Sequence, residues 1–481
     1  MKDGFDVVVV GSGAGGGVVA GELAQGGYRV LLLEVGRHLT TQDFRRWEAK
    51  ATHDLFWPLR FAPLPDGDVV TFLSARCVGG TTTINTKVAL RAHEEDVAKW
   101  HLATGLTNGA GRPFARADLD PYYARVEDLL GVRERSDWQK CIYTVRPGFR
   151  ALGADLEPVH SYTDAECQSY GSCLQGCPTG GGKSTMNTYI AWALARGLLD
   201  LRTSAQVERV LIEDTAAGPQ AVGVEYADAA GARHRVRARY VVAAAGALNT
   251  PQLLLRSGLR NGALGRHVGL HPARLVYGLF DEPQDAHRVY PISAHCMKFQ
   301  RDADGGFVVE AATVMDPIAF ATTLRDEHGP LWGARLVEAV RAYRRYAGVL
   351  AMVNDENNAS VQLDAGGAER IAVDLQPSEL ARIAAARQFS HDVLRAAGAR
   401  QVYWTGLIST HVQGGCRMGD DPARSVVDRR GEAHEVKRLF VGDASLLPRT
   451  LSVNPSLTVM ALATRLAEHL VTEMSEDLSP A

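Results

Sequence analysis

The residues best suited to chemistry come first in the chain. The apolar run Phe5-Asp6-Val7-Val8-Val9-Val10 opens onto Gly11-Ser12-Gly13-Ala14-Gly15-Gly16, and Glu34 closes the next apolar run, Val30 to Leu33. A strand, a Gly-x-Gly-x-x-Gly turn, an apolar helix and a carboxylate in that order make a dinucleotide cradle. Gly11 permits the tight turn, Gly13 admits a pyrophosphate against the backbone, and Gly16 lets the helix from Val18 to Ala24 pack on the strand. Ser12 and Ala14 lie within the turn, whose N-H groups and helix dipole favour negative charge. Glu34, eighteen residues past Gly16, stands near the roughly 20-residue offset of the acid that takes the ribose hydroxyls. A second group is the thiol run Cys167, Cys173 and Cys177, spaced C-x5-C-x3-C. Three thiolates suffice for a three-iron cluster, whereas zinc needs a fourth ligand, for which only distant candidates exist. Reduced structural thiols with no metal are the expectation.

Positioning such groups takes a sizeable scaffold. The 481 residues are 46% hydrophobic and 22% charged, with a formal net charge of -3. That composition suits a soluble enzyme of two domains. It supplies no basic field for nucleic acid and no polybasic patch for a membrane surface, so a small-molecule partner is expected. The first strand begins by residue 5, which leaves no room for a secretory leader, and a cytoplasmic location follows as an expectation. No uninterrupted apolar stretch reaches the ~18 residues of a spanning helix. Seven cysteines, odd in number and scattered, do not form a disulfide framework.

The elements interleave along the chain. After the cradle, Ala75 to Asn85 forms a second turn rich in glycine and hydroxyl groups, followed by a polar helical stretch from about Glu94 into Tyr122 to Leu130. Strands are predicted at Val207 to Ile212, Ala221 to Tyr226 and Arg233 to Val242, with turns at Ala217-Gly218-Pro219 and Ala230-Gly231. Thr250-Pro251 opens a helix through Leu255 that Gly258 stops. Strands at Val308 to Val314 and Ala359 to Leu363 precede or flank two predicted amphipathic helices, Pro330 to Leu350 and Pro377 to Ala397. The first of these helices carries Arg335, Arg341, Arg344 and Arg345, read as a solvated face.

Four separated segments resemble the glucose-methanol-choline (GMC) oxidoreductases. They are the opening fingerprint; Ala75 to Asn85 with Lys87 to Asp96; Gly246-Ala247-Leu248-Asn249-Thr250-Pro251 through Leu259; and a C-terminal set. That set comprises His411-Val412-Gln413-Gly414-Gly415-Cys416-Arg417-Met418-Gly419, Leu439 to Ser445, and Asn454-Pro455-Ser456-Leu457-Thr458. Arg260 departs from the glycine that usually closes the third segment. The resemblance implies non-covalent FAD, since Thr83 and Ile84 occupy the region where some relatives attach the flavin through histidine. It implies an α/β fold, α+β overall: a Rossmann-like FAD-binding domain made of residues 1–95, 201–270 and 405–481, with an inserted antiparallel-sheet substrate domain at 271–404. Residues 96–200 are expected to form a cap or linker carrying the cysteine-rich segment. That segment resembles one that holds an iron-sulfur cluster in certain sugar dehydrogenases, but Gln168 stands where those relatives have an adjacent cysteine.

The branch with a catalytic histidine-asparagine pair, seen in cholesterol oxidases and cellobiose dehydrogenases, places those roles on His411 and Asn454. Oxidising an alcohol removes a hydroxyl proton and a carbon-bound hydride; FAD accepts the hydride at N5. A neutral imidazole is suited to take the proton, and an amide can orient the oxygen. The resemblance further implies flavin contacts from Arg76, Gly79, Gly80, Thr81, Thr82, Asn85, Val207, Gly246, Asp443, Ala444, Pro455 and Thr458, besides Asn454 itself. Asp443 reads equally well as a helix cap.

The expected activity is oxidation of a small-molecule alcohol to an aldehyde or ketone, with oxygen or another group as electron acceptor. The run Asn354-Asp355-Glu356-Asn357-Asn358 suggests acceptors for a sugar-like or amino-sugar substrate, with a sterol or other apolar alcohol as the alternative. Two further classes fit the same fingerprint. One is a flavin-containing lyase of the hydroxynitrile lyase type; the other is a nicotinamide enzyme or a non-catalytic nucleotide-binding module.

Overall fold

The computed structural model describes residues 4–64, 67–311 and 314–478. The opening strand, Phe5–Val10, is the hub of a seven-stranded sheet. It pairs in parallel with Val30–Leu33 on one side and with the far end of Arg233–Ala243 on the other. Val30–Leu33 pairs in turn with Leu199–Arg202, and Val241 to Ala243 also pair with Leu439–Val441. All-parallel strands covered on both faces read as continuous apolar runs, and Val7, Val8, Val9, Leu31, Leu32, Val241 and Val242 are indeed buried. The long strand Arg233–Ala243 has two roles. Its first half joins Gly218–Ala227 and Gln206–Thr215 in an antiparallel meander, and its second half enters the parallel core. The glycine helix Gly16–Gln25 and the C-terminal helix Ser456–Leu478 pack together on this sheet.

A second, twelve-stranded sheet is built mainly of antiparallel pairs. At its centre Ala273–Leu279 pairs with Tyr346–Val353, which pairs with Phe307–Ala311, followed by Ala294–Cys296 and Glu157–Ser161. The helix Pro377–Ala396 covers its back, where Phe389 packs edge-on to Phe149 and Phe299. Strand Leu407–Ser409 joins this sheet to Val69–Phe72. The 96–200 segment therefore contributes to both sheets, through Glu157–Ser161 here and Leu199–Arg202 in the other.

Two helical expectations are corrected. Instead of one helix over Pro330 to Leu350, a helix spans only Gly333–Arg341, and Tyr346–Val353 is a buried central strand. A run apolar on both faces has no period to distinguish helix from strand, and here the tertiary sheet decides. The polar stretch after Glu94 is likewise two helices, Glu94–Thr104 and Asp120–Leu130, because Gly105 adopts a left-handed cap at φ 70°. The predicted strand Val308 to Val314 forms over Phe307–Ala311, with Ala312 and Thr313 outside the described residues. Among the described residues no helix is long and apolar enough to cross a membrane.

Candidate active site

A cavity of about 630 Å³ lies between the two sheets. The glycine turn forms one end. Gly11 has φ +95°, and a Cβ there would meet the Ala244 carbonyl at 2.3 Å. A Cβ on Gly16 would lie 2.0 Å from Gly11 O, and one on Gly15 only 1.6 Å from Gly442 O, so both glycines weld the helix to its strands. At Gly13 the nearest heavy atom to a Cβ is 3.9 Å away, on Gly80. That open backbone at a helix N-terminus is the room a diphosphate needs.

Glu34 is fixed from both sides of the turn. Ser12 N and Oγ donate to its Oε2 at 3.1 and 2.6 Å, and Gly36 N donates to Oε1 at 2.8 Å. Burial pushes its carboxyl above the usual range, while these hydrogen bonds draw it back. A carboxylate has about four acceptor positions, so one is left toward the cavity that Glu34 lines. Gly79 N donates to Ser12 Oγ at 3.0 Å, which ties the second glycine turn to the first.

Most residues singled out from sequence come together here. Gly11, Ser12, Gly13, Ala14, Glu34, Gly80, Thr81, Thr82, Asn85, Val207, Gly246, Asp443, Ala444, Asn454, Pro455 and His411 all line the one cavity. Four do not. Gly16 and Gly79 act behind it through backbone packing. The Arg76 guanidinium lies over the Trp57 ring at 5.3 Å, and Thr458 Oγ1 is 2.8 Å from the Tyr123 hydroxyl in the core. For Asp443 the two readings combine. Its Oδ1 accepts from Ser445 N at 2.8 Å as a cap, while Oδ2 accepts from Gly246 N at 2.7 Å and Thr250 Oγ1 at 2.5 Å.

His411 and Asn454 sit at the end of the cavity facing the second sheet. Burial pushes the His411 imidazole down to about 4, so it is neutral at neutral pH. Its Nδ1 is 3.2 Å from Nδ1 of His271, a partner sequence reasoning missed. His271 is fully buried in the left-handed region at φ 45°, held well below its ordinary pKa by burial and by His411. Gly269 and Gln413 exchange backbone hydrogen bonds at 2.8 and 2.9 Å, which zips the two histidine segments together. With His411 Nδ1 engaged, Nε2 is the nitrogen left for a substrate.

The run Asn354 to Asn358 does not reach the cavity, which corrects its expected role in substrate binding. Asp355 accepts from Leu270 N at 2.6 Å, Asn357 Oδ1 accepts from Thr450 N at 3.0 Å, and Glu356 pairs with Arg382 and Arg449. Polar side chains in a buried crossing of loops satisfy backbone groups that have no ladder, and Asp355 thereby braces the His271 segment. A second residue missed from sequence is Glu310, the lone acid in an apolar strand. It is 2% exposed and lines the cavity.

The three clustered cysteines carry free thiols. Cys177 accepts from Gly182 N at 3.2 Å; that bond, Thr179 and the buried Lys87 ammonium bring its pKa below the ordinary value despite burial. Burial pushes Cys173 up to about 12 and Lys87 down to about 8. Among the described residues no group of three His, Cys, Asp or Glu stands together as a metal site.

Two family models match the chain, both described as GMC oxidoreductase: one over residues 5–273 and one over 329–463. A long-chain-alcohol oxidase of Arabidopsis thaliana is 28% identical over 97% of this chain and 67% of its own length. An uncharacterised GMC-type oxidoreductase of Mycobacterium tuberculosis is 30% identical, covering 98% of this chain and 76% of that protein. Among solved structures, pyridoxine 4-oxidase from Mesorbium loti superposes with a TM-score of 0.74 at 19% identity, over 97% of this chain and 99% of that one.

Proposed function

The chain belongs to the glucose-methanol-choline oxidoreductases, a family of FAD flavoproteins, and from that premise we propose that it oxidises an alcohol bearing an apolar body. The observation that carries this reading is that His411 and Asn454 line the same cavity as the glycine cradle, Glu34 and Asp443. The cradle suits FAD: its helix N-terminus and the open backbone of Gly13 take the diphosphate, and Glu34 takes the ribose. Bound there, FAD supplies the hydride acceptor. His411 accepts the hydroxyl proton. A base with a pKa near 4 is adequate, because the carbinol O-H becomes strongly acidic as hydride leaves its carbon, and the low value guarantees a free lone pair at neutral pH. Asn454 orients the substrate oxygen and supports its developing charge.

The body of the alcohol meets Val88, Leu275, Ile292, Leu350 and Ile408, an apolar wall around few polar groups. With Asn354 to Asn358 engaged elsewhere, this wall favours the apolar alternative over a sugar, and the long-chain-alcohol oxidase among the relatives is in keeping with it. Flavin attachment is non-covalent: Thr83 and Ile84 hold the turn without a histidine, and Thr83 Oγ1 donates to Val78 O at 2.9 Å. Acid precipitation should release all the flavin.

The test is anaerobic mixing of the yellow protein with aliphatic alcohols, benzyl alcohol and sugars while the visible flavin band is followed, then admission of oxygen. Bleaching by the apolar alcohols is expected. Consumption of an alcohol without bleaching would favour the lyase class, and bleaching by sugars alone would reverse the substrate reading.

A further inference from the structure

Glu310 presents a problem of unpaired acceptors. It projects from Phe307–Ala311 in register with Leu350 on one neighbouring strand and His295 on the other, and Leu350 and Glu310 both face the cavity. Its Oε1 and Oε2 are buried without a hydrogen-bond partner among the described residues, and so is Oδ1 of Asn454, which lines the same cavity. Three buried acceptor atoms left without a hydrogen bond make a costly arrangement, since each has left water without compensation. A single proton on the carboxyl resolves most of it, because a carboxylic acid is a donor where a carboxylate is only an acceptor.

We propose that Glu310 is a positioning residue: its protonated carboxyl donates to Asn454 Oδ1 and so turns the Asn454 amide to present Nδ2 to the substrate oxygen. The identity of that oxygen rests on the alcohol-oxidation reading above. Amide orientation matters here because the two ends of Asn454 have opposite roles. Nδ2 stabilises negative charge building on the oxygen, whereas Oδ1 would repel it. With Glu310 ionised the preference inverts: the carboxylate attracts Nδ2 and leaves Oδ1 toward the substrate.

The surroundings favour the protonated form. Burial pushes the Glu310 carboxyl up to about 7, with the Asn454 amide drawing it back only in part. His295, opposite it on Ala294–Cys296, is pushed down to about 4 by burial and by His160, and so is neutral; His411 across the cavity is neutral for the same reason of burial. The cavity's arginines are engaged elsewhere, Arg60 with Glu369 and Asn249, and Arg256 with Gln252. Of its other acids, Glu34, Asp316 and Asp443 are themselves raised by burial, and Glu369 is paired with Arg60. On the helix behind the sheet, Arg382 pairs with Glu356, and Glu379 accepts from Glu356 N and Gln376 N. Among the described residues no cation is directed at Glu310 to hold it ionised.

Two measurements on the FAD-loaded protein test this. The first is an infrared pH titration of wild type against Glu310→Gln. A protonated-carboxyl C=O band present in wild type, absent from the variant and lost around pH 7 is expected; its absence from wild type would overturn the proposal whatever the activity. The second is the anaerobic rate of flavin reduction by benzyl alcohol across pH. Wild type should slow as pH rises through about 7. Glu310→Gln, whose amide N-H replaces the acid O-H, should stay within a few-fold of wild type and lose that fall. Glu310→Ala should drop by about 10²-fold, the scale of a mispositioned oxyanion donor, with little change in substrate affinity. A Gln variant as slow as the Ala variant, or one that keeps the high-pH fall, would refute the proposal. Failure of benzyl alcohol to reduce even the wild-type flavin would count against the oxidation reading, and the infrared titration would still decide the protonation of Glu310.

Discussion

At the scale of single residues, His411 is the group whose removal should matter most. His411→Ala deletes the proton acceptor but leaves the glycine cradle untouched, so the protein should stay folded and yellow while flavin reduction falls by ~10²-fold or more. Unchanged reduction kinetics would take His411 out of the reaction. The same group sets an acid limb. Since only the neutral imidazole accepts a proton, activity should rise as pH increases through about 4 and should not show a limb near the ordinary histidine value of about 6.5. A limb found there would mean that burial does not govern this ring. Some of the site was legible at this scale and some was not. Gly11, Gly13 and Glu34 belong to one local pattern whose order carries its meaning, so sequence sufficed. His271 meets His411 across 140 residues of chain, and neither residue carries a sign of the other. Glu310 left a trace, a single acid among Phe307, Val308, Val309 and Ala311, but a lone acid in a strand announces no partner.

At the scale of elements, the turn and its helix separate packing from ligand binding. A methyl on Gly15 would stand 1.6 Å from the Gly442 carbonyl, backbone against backbone, so Gly15→Ala must drive the glycine helix away from the Leu439–Val441 strand that precedes Gly442. A clash of that kind costs several kcal/mol, ~3 or more, and should appear as a lowered Tm even in protein stripped of flavin. Gly13→Ala meets nothing closer than 3.9 Å. It should leave the stripped protein's Tm nearly unchanged and weaken FAD retention alone, because its methyl enters the space kept for the diphosphate. Equal Tm losses in the two variants would show that the turn does not divide in this way. The glycine pattern disclosed that turn, but Gly15, which is not one of its three fingerprint glycines, is the tightest of the four because it abuts Gly442, just past a strand more than four hundred residues away. The misread stretch from Pro330 to Leu350 has the converse cause. Tyr346 to Val353 is apolar on both faces because it lies inside a sheet between Ala273–Leu279 and Phe307–Ala311, and that burial is a property of its neighbours rather than of the run.

At the scale of the whole molecule, the cavity is where two sheets with separate apolar cores meet. One core surrounds the parallel strands; the other fills the space between the twelve-stranded sheet and its covering helix. The walls of the cavity come from both, with Glu34, Val207 and Asp443 from the first side and Leu275, Glu310 and Leu350 from the second. A molecule filling that space contacts surfaces that otherwise face each other across a gap, so its binding energy adds to the stability of the whole chain by mass action. At free FAD one hundred times its dissociation constant this amounts to about 2.7 kcal/mol, which in a protein of this size is a Tm rise of a few degrees. Stripping the flavin should therefore lower Tm, and titrating FAD back should raise it continuously with concentration. The Gly13→Ala protein should follow the same curve displaced to higher FAD. If Tm were indifferent to FAD, the cofactor would not occupy the junction, and the assignment of His411, Asn454 and Glu310 to one reacting centre would lose its foundation.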